Sequence, residues 1–121
     1  AIALDSDQPE AMIIPDTYHM FLAGTGPNAL GRLRGDFIAI FQFADAGKEV
    51  EPILHKGVDS QRVLPGDGKI DLKAYLTNLK KTGFDGCVSL ELYNPEYRKR
   101  EPVAFLEEAL RKTVKVVSSA G

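Results

Sequence analysis

Short apolar runs and stretches of helical spacing alternate along the chain. The apolar runs cover residues 11–14, 37–43 and 87–92, and turn-forming residues bound each of them. Runs of this length are typical of buried strands. A helix is predicted after the cap residue Asp71, because apolar side chains follow at helical spacing, namely Leu72, Tyr75, Leu76 and Leu79. Strands that alternate with helices predict a parallel sheet made of βα units.

Other helices are predicted at both ends of the chain and after its first glycine turn. Residues 1–7 resemble the end of a helix, which Pro9 closes. A short helix over residues 29–34 would be capped by Asn28. The longest helix begins at Pro102, and its apolar face would consist of Val103, Leu106, Ala109 and Leu110.

Residues 44–68 show no convincing periodicity of either kind. A compact domain seldom holds about two dozen residues without regular structure, and such loops are often lids or binding loops. We therefore predict a functional loop in this part of the chain. His55 lies within it and is most simply a solvated side chain, while the sequence PGDG at residues 65–68 is a turn motif.

The composition limits the class of protein. A chain of 121 residues fits a single domain, residues 1–121, and its formal net charge of −2 comes with no basic run that would suit a nucleic-acid backbone. No apolar run approaches the roughly 18 residues of a membrane span, and no signal peptide is recognisable, so we expect a cytoplasmic protein without membrane contacts. The single Cys87 excludes an intrachain disulfide and is expected to be a small buried apolar side chain.

Three oxygen-bearing side chains occur at or near the ends of the predicted strands. Asp16 follows the first strand, and Gln42 and Glu91 lie near the ends of the second and third. In parallel α/β sheets, functional groups collect at the carboxyl ends of the strands. Oxygen ligands suit a divalent cation such as Mg²⁺ or Mn²⁺, and also Zn²⁺ or Co²⁺ when nitrogen ligands assist.

Each of these side chains also has a plainer interpretation. Asp16 is a preferred N-cap residue and could simply cap the next helix. Gln42 could bond to backbone groups. Glu91 is harder to explain in this way, because a carboxylate between Leu90 and Leu92 is costly to bury unless something pairs with it.

Two further side chains are candidates for contact with a small molecule. His19 stands three residues after Asp16 and could be a second ligand, a substrate contact or an ordinary surface histidine. Arg62 opens the glycine turn, where its guanidinium could clamp a hydroxyl or carboxylate group or remain solvated. The spacing alone leaves these alternatives open.

Four motifs in a fixed order give the sequence a family resemblance. They are DTYHM (16–20), QFAD (42–45), RVLPGDGKID (62–71) and GFDGCVSLE (83–91). The series resembles the C-terminal half of the xylose-isomerase-like TIM-barrel superfamily, often called sugar phosphate isomerases/epimerases, and it covers nearly the whole chain. The resemblance implies an α/β fold comprising the C-terminal half (about strands 5–8) of a (β/α)8 TIM barrel with parallel strands.

The resemblance also implies roles for the candidate residues. In this family, side chains that follow four of the barrel strands hold one divalent metal ion, and Asp16 and Glu91 match two of them. Gln42 stands where a histidine is usual, although relatives that resemble dehydroshikimate dehydratases place a glutamine there. His19 and Arg62 match residues that contact the substrate, and Glu91 would act as the catalytic base while also binding the metal, which would be Mn, Mg, Co or Zn.

The implied activity is a metal-dependent isomerisation or epimerisation of a ketose or related sugar by proton transfer through an ene-diolate. One alternative, favoured by Gln42, is a metal-dependent dehydratase of a cyclic polyol or dehydroshikimate-like substrate. A second is a non-catalytic or carbohydrate-binding relative that has lost the metal. The apurinic-site DNA endonucleases of the same superfamily need further histidines, and the turn at 64–68 has none. We therefore expect a sugar or polyol as the partner, and no nucleic acid.

A complete barrel needs about 250 residues, roughly twice the length of this chain. We therefore expect activity to require an N-terminal half, which would supply another glutamate ligand. A half barrel by itself would expose two strand edges, and this favours association of copies into a homo-oligomer. Asp45 matches a family residue to which the resemblance assigns no clear role.

Overall fold

The computed structural model of the chain describes residues 2–52 and 59–121, and His55 lies outside these ranges. The helices within them are α1 (Ile2–Asp5), α2 (Thr17–Leu22), α3 (Pro27–Leu30), α4 (Leu72–Lys81) and α5 (Pro102–Ser119). The strands are β1 (Phe41–Phe43), β2 (Asp45–Ala46), β3 (Arg62–Val63) and β4 (Val88–Leu90). Single turns of 3₁₀ helix cover Gly35–Phe37, Asp59–Gln61 and Tyr97–Lys99.

Strand β1 lies at the centre of a parallel sheet. β4 pairs with it on one side, where Gln42 is opposite Ser89. On its other side, parallel bridges join Ile13 to Ile38 and Asp16 to Gln42. The prediction of an α/β fold with parallel strands is confirmed. The described ranges hold three parallel segments, whereas half of an eight-stranded barrel would hold four.

The predicted strands are shorter and more exposed than expected. Residues 11–14 were predicted as a buried strand, but in this run only Ile13 forms a bridge, and Met12 and Ile14 are 43% and 52% exposed. The second strand shrinks from residues 37–43 to β1. In the third, Val88 and Cys87 are exposed, so the prediction of a buried Cys87 is wrong. The reason is position: the outer two segments have a sheet neighbour on only one side within the described residues.

The helix predictions hold best where a side chain caps the first turn. Asp71 caps α4, and its Oδ1 accepts a hydrogen bond from the Ala74 amide at 3.0 Å. This cap was predicted correctly. The cap predicted at Asn28 is wrong, because α3 begins two residues earlier than predicted, at Pro27, with Gly26 as its cap. Proline suits the first helical turn because its missing N–H would have no partner there.

The prediction of a long structureless segment at 44–68 is also wrong in part. β2 and β3 pair in antiparallel register, with Asp45 opposite Val63 and Ala46 opposite Arg62. Strands of two residues are too short to produce a periodic pattern in the sequence. This small ladder places Arg62 beside the end of β1.

The core lies between the parallel sheet and the helices α2, α3 and α4. Its fully buried members include Tyr18, Leu30, Phe41 and Phe43. The apolar face predicted for α5 is mostly not part of this core. Ala109 is buried, but an apolar stripe of the helix is more than half exposed, namely Val103, Leu106, Leu110 and Val114. Helical spacing identifies an apolar face without showing what covers it.

Among the described residues, no helix combines the length and the apolar character that crossing a membrane requires.

Gly35 provides a test of how the sheet joins α4. Its amide donates to the Thr82 carbonyl at 2.8 Å, and a Cβ here would lie 2.4 Å from the Phe84 nitrogen. Because that neighbour is backbone, Gly35→Ala is expected to lower the free energy of unfolding by about 2 kcal/mol or more in urea denaturation. The matched control is Gly26→Ala, where a Cβ meets nothing within 4 Å and the expected loss is below about 1 kcal/mol. Equal losses in the two variants would contradict the close approach.

Candidate active site

A buried arginine occupies the centre of the candidate site. The Arg62 side chain is 1% exposed, and its Nη1 donates to Asp16 Oδ2 at 2.8 Å. Its Nη2 lies 3.4 Å from Glu91 Oε2 and 3.3 Å from Asp59 Oδ1. The guanidinium therefore joins carboxylates from three separate parts of the chain. The interpretation of Arg62 as a solvated side chain is excluded.

Asp16 performs two tasks with its two carboxylate oxygens. Oδ1 accepts a hydrogen bond from the His19 amide at 3.0 Å and so caps α2, as the plainer interpretation predicted. Oδ2 is held by Arg62, and the side chain is only 4% exposed. Capping and membership of the site are therefore not alternatives for this residue. The cap fixes the direction in which the second oxygen points.

Glu91 is not an unpaired charge in an apolar strand. Its Oε1 accepts a hydrogen bond from Gln42 Nε2 at 2.7 Å, and its Oε2 lies beside Arg62. The side chain is 24% exposed, so it also reaches solvent. The cost of burial that made Glu91 conspicuous in the sequence is offset by these two partners.

His19 lies at the rim of the cluster, with its side chain 56% exposed. Its Nε2 is 3.0 Å from Arg62 Nη2. A guanidinium has no acceptor, so a hydrogen bond here requires Nε2 to accept, as it does in the tautomer that carries its proton on Nδ1. His19 Nε2 is also 3.9 Å from Asp59 Oδ1. That contact is not an ion pair as long as the ring is neutral.

Sequence reasoning missed several residues that support Arg62. The Tyr18 ring lies 4.7 Å from the guanidinium carbon, and burial raises the pKa of the Tyr18 phenol while the charge of Arg62 opposes the shift. Asn94 Nδ2 donates to the Arg62 carbonyl at 3.1 Å, and the Tyr97 hydroxyl accepts from the Leu64 amide at 3.2 Å. Contacts of this kind leave no periodic signal. The one signal in the sequence was the position of Tyr18 directly before His19, a candidate site residue.

The structure thus brings together Asp16, Gln42, Glu91, His19 and Arg62 at the carboxyl ends of the parallel segments. Two carboxylates and one amide are hard oxygen donors of the kind that divalent cations accept. Within the described residues, no three His, Cys, Asp or Glu side chains are grouped as a metal site, so the donor set depends on the amide of Gln42. These oxygen atoms are suitable ligands for a divalent cation, but in this structure the two carboxylates are paired with Arg62.

Arg62 should contribute strongly to stability because removing it leaves buried carboxylates unpaired. Arg62→Met is expected to cost about 3–5 kcal/mol in the free energy of unfolding near pH 7, measured by urea denaturation. Arg34→Met is the control, since Arg34 also pairs with an aspartate but its side chain is 83% exposed. That loss should be small by comparison, because an exposed ion pair contributes little to stability. A cost for Arg62→Met no larger than for Arg34→Met would contradict a buried ion pair.

The chain is similar to curated bacterial enzymes. It is 38% identical over 106 residues to an inosose isomerase of Bacillus subtilis, and the match covers 88% of this chain and 37% of that protein. It is 33% identical over 97 residues to a 3-dehydroshikimate dehydratase of Pseudomonas putida, covering 77% of this chain and 14% of the relative. The chain therefore spans well under half the length of these relatives.

Solved structures and a family model agree with this similarity. A crystal structure of the IolI protein with a bound zinc atom superposes with a TM-score of 0.89 at 33% identity, covering 99% of this chain and 42% of that one. The family model described as "Xylose isomerase-like TIM barrel" matches residues 2–112. A match over that much of the sequence identifies the family. The chain belongs to the xylose isomerase-like TIM-barrel family.

Proposed function

We propose that the protein containing this chain is a metal-dependent isomerase that moves a proton next to the carbonyl group of a cyclic polyol ketone or related sugar. The observation that carries this proposal is the convergence of Asp16, Gln42, Glu91, His19 and Arg62 in one cluster. The similarity to inosose isomerases supports the substrate class. The chain would supply the C-terminal half of the barrel, and the rest of the protein another ligand.

A divalent cation held by Asp16, Gln42 and Glu91 would polarise the carbonyl oxygen of the substrate. The zinc atom bound in the IolI protein supports a metal site in the present protein but does not identify the metal. For a cation to bind in this chain, Arg62 would have to give up at least some of its ion-pair contacts with Asp16 and Glu91. The freed guanidinium would then be available to donate hydrogen bonds to substrate oxygens.

The side chains of this chain would carry the proton transfer and the charge. Glu91 is the base in this proposal, because it is ionisable, reaches solvent and is oriented by the Gln42 amide. Arg62 would stabilise the negative charge that develops on the ene-diolate oxygen. His19, at the rim of the cluster, would hold a neighbouring hydroxyl group of the substrate with a ring nitrogen.

A dehydratase is the second candidate. It would use the same proton abstraction and then expel a hydroxyl group as water. The similarity to 3-dehydroshikimate dehydratases of two Pseudomonas species favours it. Mass spectrometry of the products separates the two reactions, since isomerisation conserves the mass and dehydration removes one water.

Glu91→Gln tests the proposed base in the complete protein. The amide cannot accept the proton, so turnover of an inosose should fall by about 100-fold or more while the protein stays folded. The control is Glu96→Gln, because the Glu96 side chain is 70% exposed and pairs only with Lys99 among the described residues. Wild-type turnover in Glu91→Gln would refute the assignment of Glu91 as the base.

Metal binding is tested by thermal unfolding with and without Mn²⁺, Mg²⁺, Co²⁺ or Zn²⁺. A cation that binds the native state and not the unfolded chain raises the melting temperature of the wild-type protein, and the rise grows with the logarithm of the cation concentration above its Kd. The rise should shrink in Asp16→Asn, which keeps the capping oxygen but loses the charge. A melting temperature that none of the four ions changes would instead indicate a non-catalytic or carbohydrate-binding relative.

A further inference from the structure

Asp45 is a buried carboxylate for which the proposed mechanism has no use. It is the first residue of β2, and it is 1% exposed. Its partners are backbone amides: Oδ1 accepts from Ala46 at 2.8 Å and Ile70 at 2.9 Å, and Oδ2 accepts from Gly66 and Gly68 at 3.0 Å each. Three of these donors belong to the loop that follows β3.

The loop lies so close to β2 that a side chain would not fit between them. A Cβ added to Gly68 would lie 2.2 Å from the Ala46 carbonyl oxygen and 2.4 Å from Asp45 Oδ1. Lys69 also donates its amide to that carbonyl, at 3.1 Å. Asp45 therefore fixes the path of residues 64–70 against the strand.

This path determines where Arg62 points. Arg62 is opposite Ala46 in the β2–β3 ladder, and the Gly47 amide donates to the Gln61 carbonyl at 3.1 Å. The loop held by Asp45 begins two residues after Arg62. Backbone contacts therefore hold Gln61 before the arginine, Arg62 itself in the ladder, and the loop that follows it.

We propose that Asp45 is the positioning residue for Arg62: by gathering the amides of the glycine loop it fixes the β3 backbone from which the guanidinium reaches the site. The expected effect on the reaction rate rests on the proposed function, whereas the expected effect on the position of Arg62 does not. Because an error of about 1 Å in a substrate-orienting group can cost 100-fold in rate, the loop need not move far for activity to fall.

The test uses Asp45→Asn in the complete protein. Asparagine has nearly the same shape, but one oxygen becomes an NH₂ group that faces amide donors. The matched control is Asp67→Asn, which changes an aspartate of the same loop that is 40% exposed and pairs with Lys112. The first readout is the Arg62 Nε–H resonance in protein labelled with ¹⁵N-arginine, assigned by its loss in Arg62→Met. The second is kcat/KM.

The expected result is a shifted or broadened Arg62 resonance in Asp45→Asn, with a loss of about 10-fold or more in kcat/KM. Asp67→Asn should match the wild type in both. A folded Asp45→Asn protein with an unchanged Arg62 resonance overturns the proposal. If the wild-type protein itself has neither isomerase nor dehydratase activity, a shifted Arg62 resonance in Asp45→Asn would support the positioning role while the proposed function is refuted.

A second variant covers the case in which Asp45→Asn does not fold. Gly68→Ala pushes the loop away from Asp45 and Ala46 while leaving the carboxylate in place. A shifted Arg62 resonance in this variant supports the proposal, and an unchanged one overturns it. If neither variant folds by circular dichroism, Asp45 is required only for folding and the positioning role is likewise overturned.

Discussion

The ion pairs of Arg62 are the interaction on which the candidate site depends. A guanidinium that is almost fully buried must be matched by carboxylates close to it, because an unpaired buried charge is very costly. Asp16 and Glu91 meet this requirement from opposite sides of β1. Gln42 lies between them in the sheet, bridged to Asp16 and hydrogen-bonded to Glu91. The register of the strands and the pairing of the charges therefore select the same arrangement.

In the proposed chemistry, the carboxylates of Asp16 and Glu91 bind two different cations, the Arg62 guanidinium and a divalent metal ion. A guanidinium spreads one positive charge over a plane and donates hydrogen bonds, whereas a divalent cation concentrates its charge and needs lone pairs. Asp16 and Glu91 suit both, and the neutral amide of Gln42 suits both through its oxygen, while its NH₂ group donates to Glu91. A histidine at this position would offer nitrogen instead. The glutamine is thus compatible with a site that exchanges one cation for another.

The convergence of Asp16, Gln42 and Glu91 could be predicted from the sequence because it follows from a simple rule. Strands that run parallel bring their carboxyl ends to one edge, and the spacing of apolar runs shows where those ends fall. The roles of Asp45 and Asn94 could not be predicted in this way. Asp45 binds backbone amides of the loop after β3, and Asn94 binds the backbone carbonyl of Arg62. Such contacts join residues that are distant in the sequence, and periodicity does not reveal them.

The lengths of the strands and the exposure of α5 were mispredicted for a related reason. Residues 11–14 and the stripe from Val103 to Val114 are apolar, which shows that they favour burial but not which surface would bury them. Cys87 was misjudged on the same ground. The described residues cover these side chains incompletely, so the apolar pattern and the observed burial differ in the outer segments of the sheet and along α5.

The hydrogen bond from Asn94 to the Arg62 carbonyl links the segment after Glu91 to the backbone of the arginine. Tyr97 adds a second link one residue beyond β3, at Leu64. These two side chains lie outside the charged cluster, yet they help determine how the cluster is shaped. A replacement at either position would therefore remove a contact that holds the backbone on which Arg62 sits, although every charged group of the cluster would remain.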